Sequence, residues 1–369
     1  MTILRNVEKL SEKEYRLLDR DSYSSLACFV NDRRKYYRKY ILKEVGVDGT
    51  TGKSLVYGSL VDCLLFTPSD FDDRFVVIDF EMPTPQMKLF TENLAKRKIE
   101  NDNLTQGRRE DAKAIFQWAY NDTKYNETGE EVAFKRQDLD TTFKKFEESC
   151  MNYYNFLLDT WGEGKMIVDT EMLSKAEEAV KRLRYSTVTG IIINQESDFR
   201  YEVYKQLIVL FKIKGRPFKS MLDEVIIDHE SKTIQPYDLK TSSSVEEFVN
   251  SYLKFSYYIQ AGVYYQACAA WKSQVGLDDY TVLPIKFIVI DNSNYLDPLI
   301  YTTDVSNLRQ SLFGFEIGGK RYKGVIDIID DLSWHCDNDV WGISRQNYDN
   351  RGIVNLKVYE DRTGETEDA

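Results

Sequence analysis

Three strand-length apolar runs follow one another between Tyr204 and Leu239, and acidic residues sit inside the last two of them. The runs are Tyr204–Ile213, Phe218–Asp228 and Thr233–Leu239, separated by Gly215-Arg216-Pro217 and by Asp228-His229-Glu230-Ser231-Lys232. Glycine, proline and polar clusters of this kind end strands and turn the chain, and connections this short join antiparallel neighbours. The pattern predicts a meander. A long helix is expected next, from Val245 to about Trp271, and then another strand at Val282–Ile290. Strands in a run, a helix and a further strand make the fold class α/β, of the α+β mixed-sheet kind.

The flanking sequence reads as helix. Leu10 to Glu44 has a start signal at Asp21-Ser22-Tyr23-Ser24, Gly58 to Pro68 is an apolar helical stretch closed by proline, and Leu89 to about Tyr185 is predominantly helical. Helix returns from Ser306 to about Cys336, and Glu360–Ala369 is an acidic tail. We expect a single domain, with residues 1–187 mainly helical, a mixed-sheet core over 188–295, an extension over 296–359 and the tail at 360–369. The longest apolar runs, such as Leu207–Phe211, are far shorter than the ~20 residues of a spanning helix, and Met1-Thr2-Ile3-Leu4-Arg5 opens no signal-peptide pattern. The expected location is the cytoplasm, with no membrane partner.

Side-chain chemistry narrows the function. The 5 cysteines, at positions 28, 63, 150, 268 and 336, are an odd number and form no C-x-x-C pair, which argues against a disulfide framework and against a cysteine-ligated zinc or iron–sulfur centre. With only 2 histidines, His229 and His335, a hydrolytic site must rest on carboxylates and lysine. The balance of 49 basic against 60 acidic residues, a formal net charge of −11, is unlike a protein that coats nucleic acid over its whole surface, and leaves room for a local basic channel.

The charges inside the meander require a reason. Asp223 interrupts Met221-Leu222-Asp223-Glu224-Val225-Ile226-Ile227, and Asp238 and Lys240 lie in Pro236-Tyr237-Asp238-Leu239-Lys240-Thr241. Residues two apart leave the same face of a strand, so Asp238 and Lys240 share a face. If the second and third strands pair around the 228–232 turn, Asp223 comes close to them. Two converging carboxylates seat a hard divalent cation such as Mg²⁺ or Mn²⁺, and a lysine beside them can orient water or balance charge on a phosphoryl oxygen. A cross-strand salt bridge would use the same residues.

Leu222-Asp223, then Asp238-Leu239-Lys240-Thr241, then Gln260-Ala261-Gly262-Val263-Tyr264 in the following helix resemble the PD-(D/E)XK nuclease superfamily. Within it the likeness is to the RecB-like branch and its phage and prophage exonuclease VIII (RecE-type) members. The early Ser24-Ser25-Leu26 helix, Gly58–Pro68, Glu171–Arg184 and Leu308–Trp334 extend the resemblance over most of the chain. It implies that residues 188–295 are a nuclease core, that Asp223 and Asp238 hold metal, that Lys240 positions or activates water, and that Gln260 and Tyr264, four apart on one helix face, support the site and contact the strand. In that branch the segment matching Gly58–Pro68 carries a histidine ligand. Here Asp62 aligns with it, a carboxylate that suits a hard metal; Glu202 is the alternative acidic ligand. The iron–sulfur nucleases sharing this core need clustered cysteines near the C-terminus, and Cys268 and Cys336 stand alone there.

The function this resemblance implies is Mg²⁺- or Mn²⁺-dependent hydrolysis of linear duplex DNA from its ends, in phage-type recombination or DNA processing, with a single-strand annealing protein as a partner and a homo-oligomeric ring as the assembly. The candidate DNA contacts are Arg33, Arg34, Lys212, Lys214, Arg216 and Lys219. Two alternatives stand beside it: a non-catalytic DNA-binding or assembly module with a degenerate site, and an endonuclease of the same fold. Gly52-Lys53-Ser54 lacks the glycine spacing of a helicase P-loop, so a helicase would have to be another subunit.

Overall fold

A computed structural model of the chain describes residues 10–44, 46–47, 52–105, 107–126 and 129–354. The acidic tail at 360–369 lies outside them. The chain gathers into two compact units, one made of residues 1–68 and 175–369, the other of 69–174. This differs from the expected single domain with a helical first half. The second unit is set into the sequence between Pro68 and Lys175, so the Gly58–Pro68 segment belongs with the sheet that begins only at Tyr201 rather than with its sequence neighbours.

In the first unit, helix α1 (Glu12–Leu17) and helix α2 (Tyr23–Asn31) each begin with a capping box, at Ser11/Glu14 and Ser22/Ser25. Helix α3 (Lys53–Phe66) carries Asp62. Helix α4 (Thr170–Tyr185), which belongs to this unit from Lys175 onward, leads to the sheet. Strands β1 (Tyr201–Ile213), β2 (Arg216–Asp228) and β3 (Thr233–Ser242) form the meander. Its first turn is tighter than expected. Ile213 pairs with Arg216, leaving the two residues Lys214 and Gly215, both left-handed at φ 49° and 84°, as the turn whose twist matches the flanking strands.

The expected long helix is broken in two, α5 (Phe248–Lys254) and α6 (Tyr257–Gln274), because Ser256 between them is left-handed at φ 59°. The expected strand at 282–290 also divides. Thr281–Val282 pairs with the start of β3, Pro284 cannot extend a ladder, and β4 (Lys286–Asp291) then pairs parallel with the rest of β3. An antiparallel strand, β5 (Leu299–Thr302), completes the order β1-β2-β3-β4-β5. The fold class is thus the expected mixed one, antiparallel at the meander and parallel where the α5–α6 crossover intervenes. After it come α7 (Val305–Phe313), a small hairpin of β6 (Phe315–Ile317) and β7 (Lys320–Tyr322), and α8 (Val325–Asn338). Gly314, Gly318 and Gly319, all at positive φ, interrupt what reads in sequence as one helix.

The core of this unit lies between the sheet and α6, with Leu207, Val209, Phe211, Phe218, Leu222, Val225, Ile259, Val263 and Trp271 among its buried members. Helix α6 packs unusually close to α7 and α8: a Cβ on Gly262 would lie 2.9 Å from Val325 Cγ2 and 3.2 Å from the Ser311 carbonyl. The second unit has its own core, in which Phe90, Phe116, Phe134 and Phe146 meet mostly edge to face. Its strands Phe75–Ile78 and Met166–Asp169 pair in parallel, a pairing between distant segments within a region that reads as helical. Among the described residues no helix is long and apolar enough to cross a membrane.

Candidate active site

The site forms where β2 and β3 part. Their ladder runs from Asp228↔Thr233 to Glu224↔Tyr237 and stops, while β3 continues beside β4 from Tyr237 to Ser242. The next residues on the two parting strands are Asp223 and Asp238. A fork in a sheet leaves amides without ladder partners, and the Asp223 carboxylate answers one of them: Leu239 N donates to Asp223 Oδ2 at 2.7 Å. The strands therefore deliver two carboxylates to one point because the ladder ends there.

Asp238 and Lys240, on one face of β3, are directly ion-paired. That face looks at α6, from which Gln260 Nε2 donates to Asp238 Oδ1 at 2.6 Å and Tyr257 places its ring 4.8 Å from Lys240 Nζ. Asp238 is only 2% exposed and Gln260 3%. Tyr264, one turn along α6, donates to the Met221 carbonyl at 2.8 Å, pinning the helix to β2 just ahead of Asp223. Helix α3 approaches differently. Its Gly58 lies against Thr241, where a Cβ would come 3.2 Å from Thr241 Oγ1, and Thr241 leaves β3 on the face opposite Asp238 and Lys240.

One turn further along α3, Asp62 accepts a hydrogen bond from Gln206 Nε2 at 2.9 Å. Gln206 is irregular. It stands in β1 between the pairs Lys205↔Glu224 and Leu207↔Leu222, facing the Asp223 position, with φ at 49° in the middle of a strand. A left-handed residue without glycine's freedom costs about 1–3 kcal/mol and persists only where its surroundings enforce it. The kink also changes the face that packs inward: Tyr204 is buried in the core before it, and Leu207, Val209 and Phe211 after it.

The electrostatics are those of crowded carboxylates. Burial first, then the charges of Asp238 and Asp62, push the Asp223 carboxyl well above its ordinary value, against the pull of Lys240 and the Leu239 amide. Burial raises Asp238 as well, opposed by Lys240 and Gln260. For Lys240, burial disfavours the ammonium, but Asp238 and Asp223 outweigh it and hold the pKa above the usual lysine value. Lys240 is therefore a cation here. Among the described residues no three His, Cys, Asp or Glu side chains already converge as a closed metal cage. The donor set nevertheless fits a hard divalent ion: carboxylates from three elements are held within electrostatic reach, and the amide oxygens of Gln206 and Gln260 are buried without a hydrogen-bond partner.

The other candidates lie elsewhere. Glu202 is near the opposite end of β1 from the hairpin turn, where it accepts from Tyr204 OH at 2.9 Å and meets His229 Nε2 at 3.2 Å. Arg216 makes a two-pronged contact with Asp21, at 3.0 and 2.7 Å. Lys219 donates to the carbonyls of Tyr15, Arg16 and Leu18, closing the C-terminal end of α1. Lys214 is ion-paired with Asp330, and Arg33 donates to the Trp341 carbonyl at 2.9 Å. Of the expected DNA contacts, Lys214, Arg216 and Lys219 fasten flanking helices to the hairpin, and Arg216 sits seven residues from Asp223, about 23 Å along an extended strand. Arg34 and Lys212 are exposed. Sequence reasoning missed Gln206 and Tyr257. The only signal for Gln206 is the broken alternation between Tyr204 and Leu207, and Tyr257 is one tyrosine among 25.

No family model matches the chain, and no curated protein matches it in sequence. Among solved structures, a protein from Eubacterium rectale that is provisionally named an exonuclease is similar at 11% identity with a TM-score of 0.44, over 95% of this chain and 96% of that one.

Proposed function

We propose that this chain is a metal-dependent phosphodiesterase of the nuclease kind, acting on DNA. The observation that carries the reading is the fork itself: Asp223 and Asp238 at the parting of β2 and β3, Asp62 brought to Asp223 by α3, and Lys240 held as a cation beside them. A structural ion pair does not need two further carboxylates, Asp238 and Asp62, close enough to push the Asp223 carboxyl up. A site that binds a divalent cation does, because the cation removes the repulsion.

In this reading Asp62, Asp223 and Asp238 hold Mg²⁺ or Mn²⁺, which supplies Lewis acidity toward the phosphoryl oxygens and a more acidic bound water. Gln260 keeps Asp238 oriented, and Gln206 does the same for Asp62. Lys240 positions the attacking water, and its ammonium, favoured by Asp238 and Asp223, opposes the negative charge that grows on the phosphorane oxygens. Tyr257 shields that ammonium from solvent on one side. The resemblance extends the proposal to linear duplex DNA attacked from its ends, in phage-type recombination with an annealing partner and a ring-shaped assembly.

The test compares the protein with Lys240→Ala on end-labelled linear duplex and closed circular DNA, with Mg²⁺ or Mn²⁺ and with EDTA. Metal-dependent loss of the linear substrate alone, slowed about 10²–10³-fold by Lys240→Ala, is the expected result. Cutting of the circle makes the enzyme an endonuclease. The position of Asp62, where the resembled family has histidine, favours one second reading, a DNA-binding module with a degenerate site; DNA bound but left intact under every condition would establish it.

A further inference from the structure

A cleft of about 730 Å³ opens in the same unit as the active site, between the end of α2, α5, the β6–β7 hairpin and α8. Arg33, Lys254, Lys320, Arg321 and Lys323 line it, against the single carboxylate of Asp331. Five cations to one acid is a marked local reversal in a chain whose formal net charge is −11. Lys323 pairs with Asp331 at 2.8 Å, and Arg321 lies 3.3 Å from Asp327. Lys254 and Lys320 make no ion pair among the described residues: Lys254 lies 5.4 Å from the Phe255 ring and Lys320 4.9 Å from the Tyr322 ring. Tyr322 stacks on Phe315 at 4.9 Å, and Tyr258 meets both rings edge-on.

The cleft is joined to the fork by two consecutive residues. Ser256, left-handed and buried, forms part of the cleft wall and starts α6. Tyr257 then turns its ring to Lys240, while Tyr258 lines the cleft. Tyr23 of α2 ties the junction down by donating to the Phe255 carbonyl at 2.7 Å.

We propose that this cleft binds a single strand of nucleic acid and leads it to or from the active site, a proposal that rests on the reading of that site as a nuclease. Cations distributed along a groove suit a chain of phosphates, and Tyr322, half-buried in its wall, is the ring that a base can reach. A single phosphate would need one convergent cradle instead, and a rigid duplex is too broad to enter a cleft of about 730 Å³.

The experiment measures binding of a labelled mixed-sequence single strand of about 16 nucleotides to the full chain in EDTA, across a range of salt, by fluorescence anisotropy. The double variant Lys254→Ala/Lys320→Ala is compared with Lys181→Ala/Lys232→Ala, two lysines outside the cleft. In parallel, hydrolysis of bis(p-nitrophenyl) phosphate with Mn²⁺ reports on the fork alone, with Asp238→Asn as its control. The cleft variant should bind more weakly, with the slope of log K against log salt reduced by about 0.7 per lysine removed, and should hydrolyse the small diester like the wild type. Wild-type binding and slope in the cleft variant would overturn the proposal. So would a polyglutamate peptide that binds the cleft while the single strand does not, which would assign it to an acidic protein partner. If the strand binds as expected but the wild type does not hydrolyse the diester, the cleft assignment stands and the nuclease reading falls.

Discussion

At most strand positions alanine is more stable than glycine, and at Gln206 the order should reverse. Glycine loses more backbone freedom on folding, a cost of about 0.5–1 kcal/mol relative to alanine. Gln206 has φ 49°, where a Cβ crowds the following carbonyl at about 1–2 kcal/mol. The difference favours Gln206→Gly over Gln206→Ala by roughly 1 kcal/mol. At the neighbouring Lys205, extended and exposed, Lys205→Gly should instead be less stable than Lys205→Ala by about 0.5–1 kcal/mol. Urea denaturation of the four variants decides the matter, and the same order at both positions would refute the left-handed kink. Activity should not follow stability. Both Gln206 variants remove the 2.9 Å hydrogen bond to Asp62, so both should raise the Mn²⁺ concentration for half-maximal cleavage about 10–100-fold. Unchanged metal dependence in both would show that Gln206 does not orient Asp62.

Two further outcomes follow from groups near the site. Glu224 is wholly buried with neither carboxylate oxygen hydrogen-bonded, and burial raises its pKa from 4.5 to about 7. The folded state therefore holds this proton more tightly than the unfolded one, and stability falls as pH rises from 4.5 to about 7, then levels, for a total of about 3 kcal/mol. Glu224→Gln should remove that part of the decline when unfolding is compared at pH values below and above this window; an unchanged decline would contradict it. Arg216→Ala leaves the Asp21 carboxylate, 8% exposed, with only the hydroxyls of Ser25 and Tyr36. It should destabilise the fold by about 3–5 kcal/mol while leaving the salt dependence of DNA binding unaltered, and the opposite pattern would return Arg216 to the DNA surface.

The parts of this fold that could be read from sequence are those in which a local pattern and its terminator agree. The meander was legible because apolar runs end at Gly215 and at the polar 228–232 segment, and those ends fix which strands can pair. Asp223, Asp238 and Lys240 stood out because burying a charge demands a partner, so a charge inside an apolar strand marks a place where something must answer it. The identity of the partner is a different matter. Arg216 shows no partner in its own stretch of sequence because the carboxylate that pairs with it, Asp21, lies 195 positions earlier. The strands Phe75–Ile78 and Met166–Asp169 were hidden for the same reason, since each is too short to declare itself without the other. Gln206 and Ser256 escape for another reason. Their left-handed backbones are enforced by what surrounds them, by the fork in one case and by the start of α6 in the other, and neither side chain advertises a conformation it would not adopt alone. Gln206 holds Asp62, and Ser256 starts the helix that brings Tyr257 to Lys240 and Gln260 to Asp238, because strained backbone is retained where it holds side chains in a required geometry.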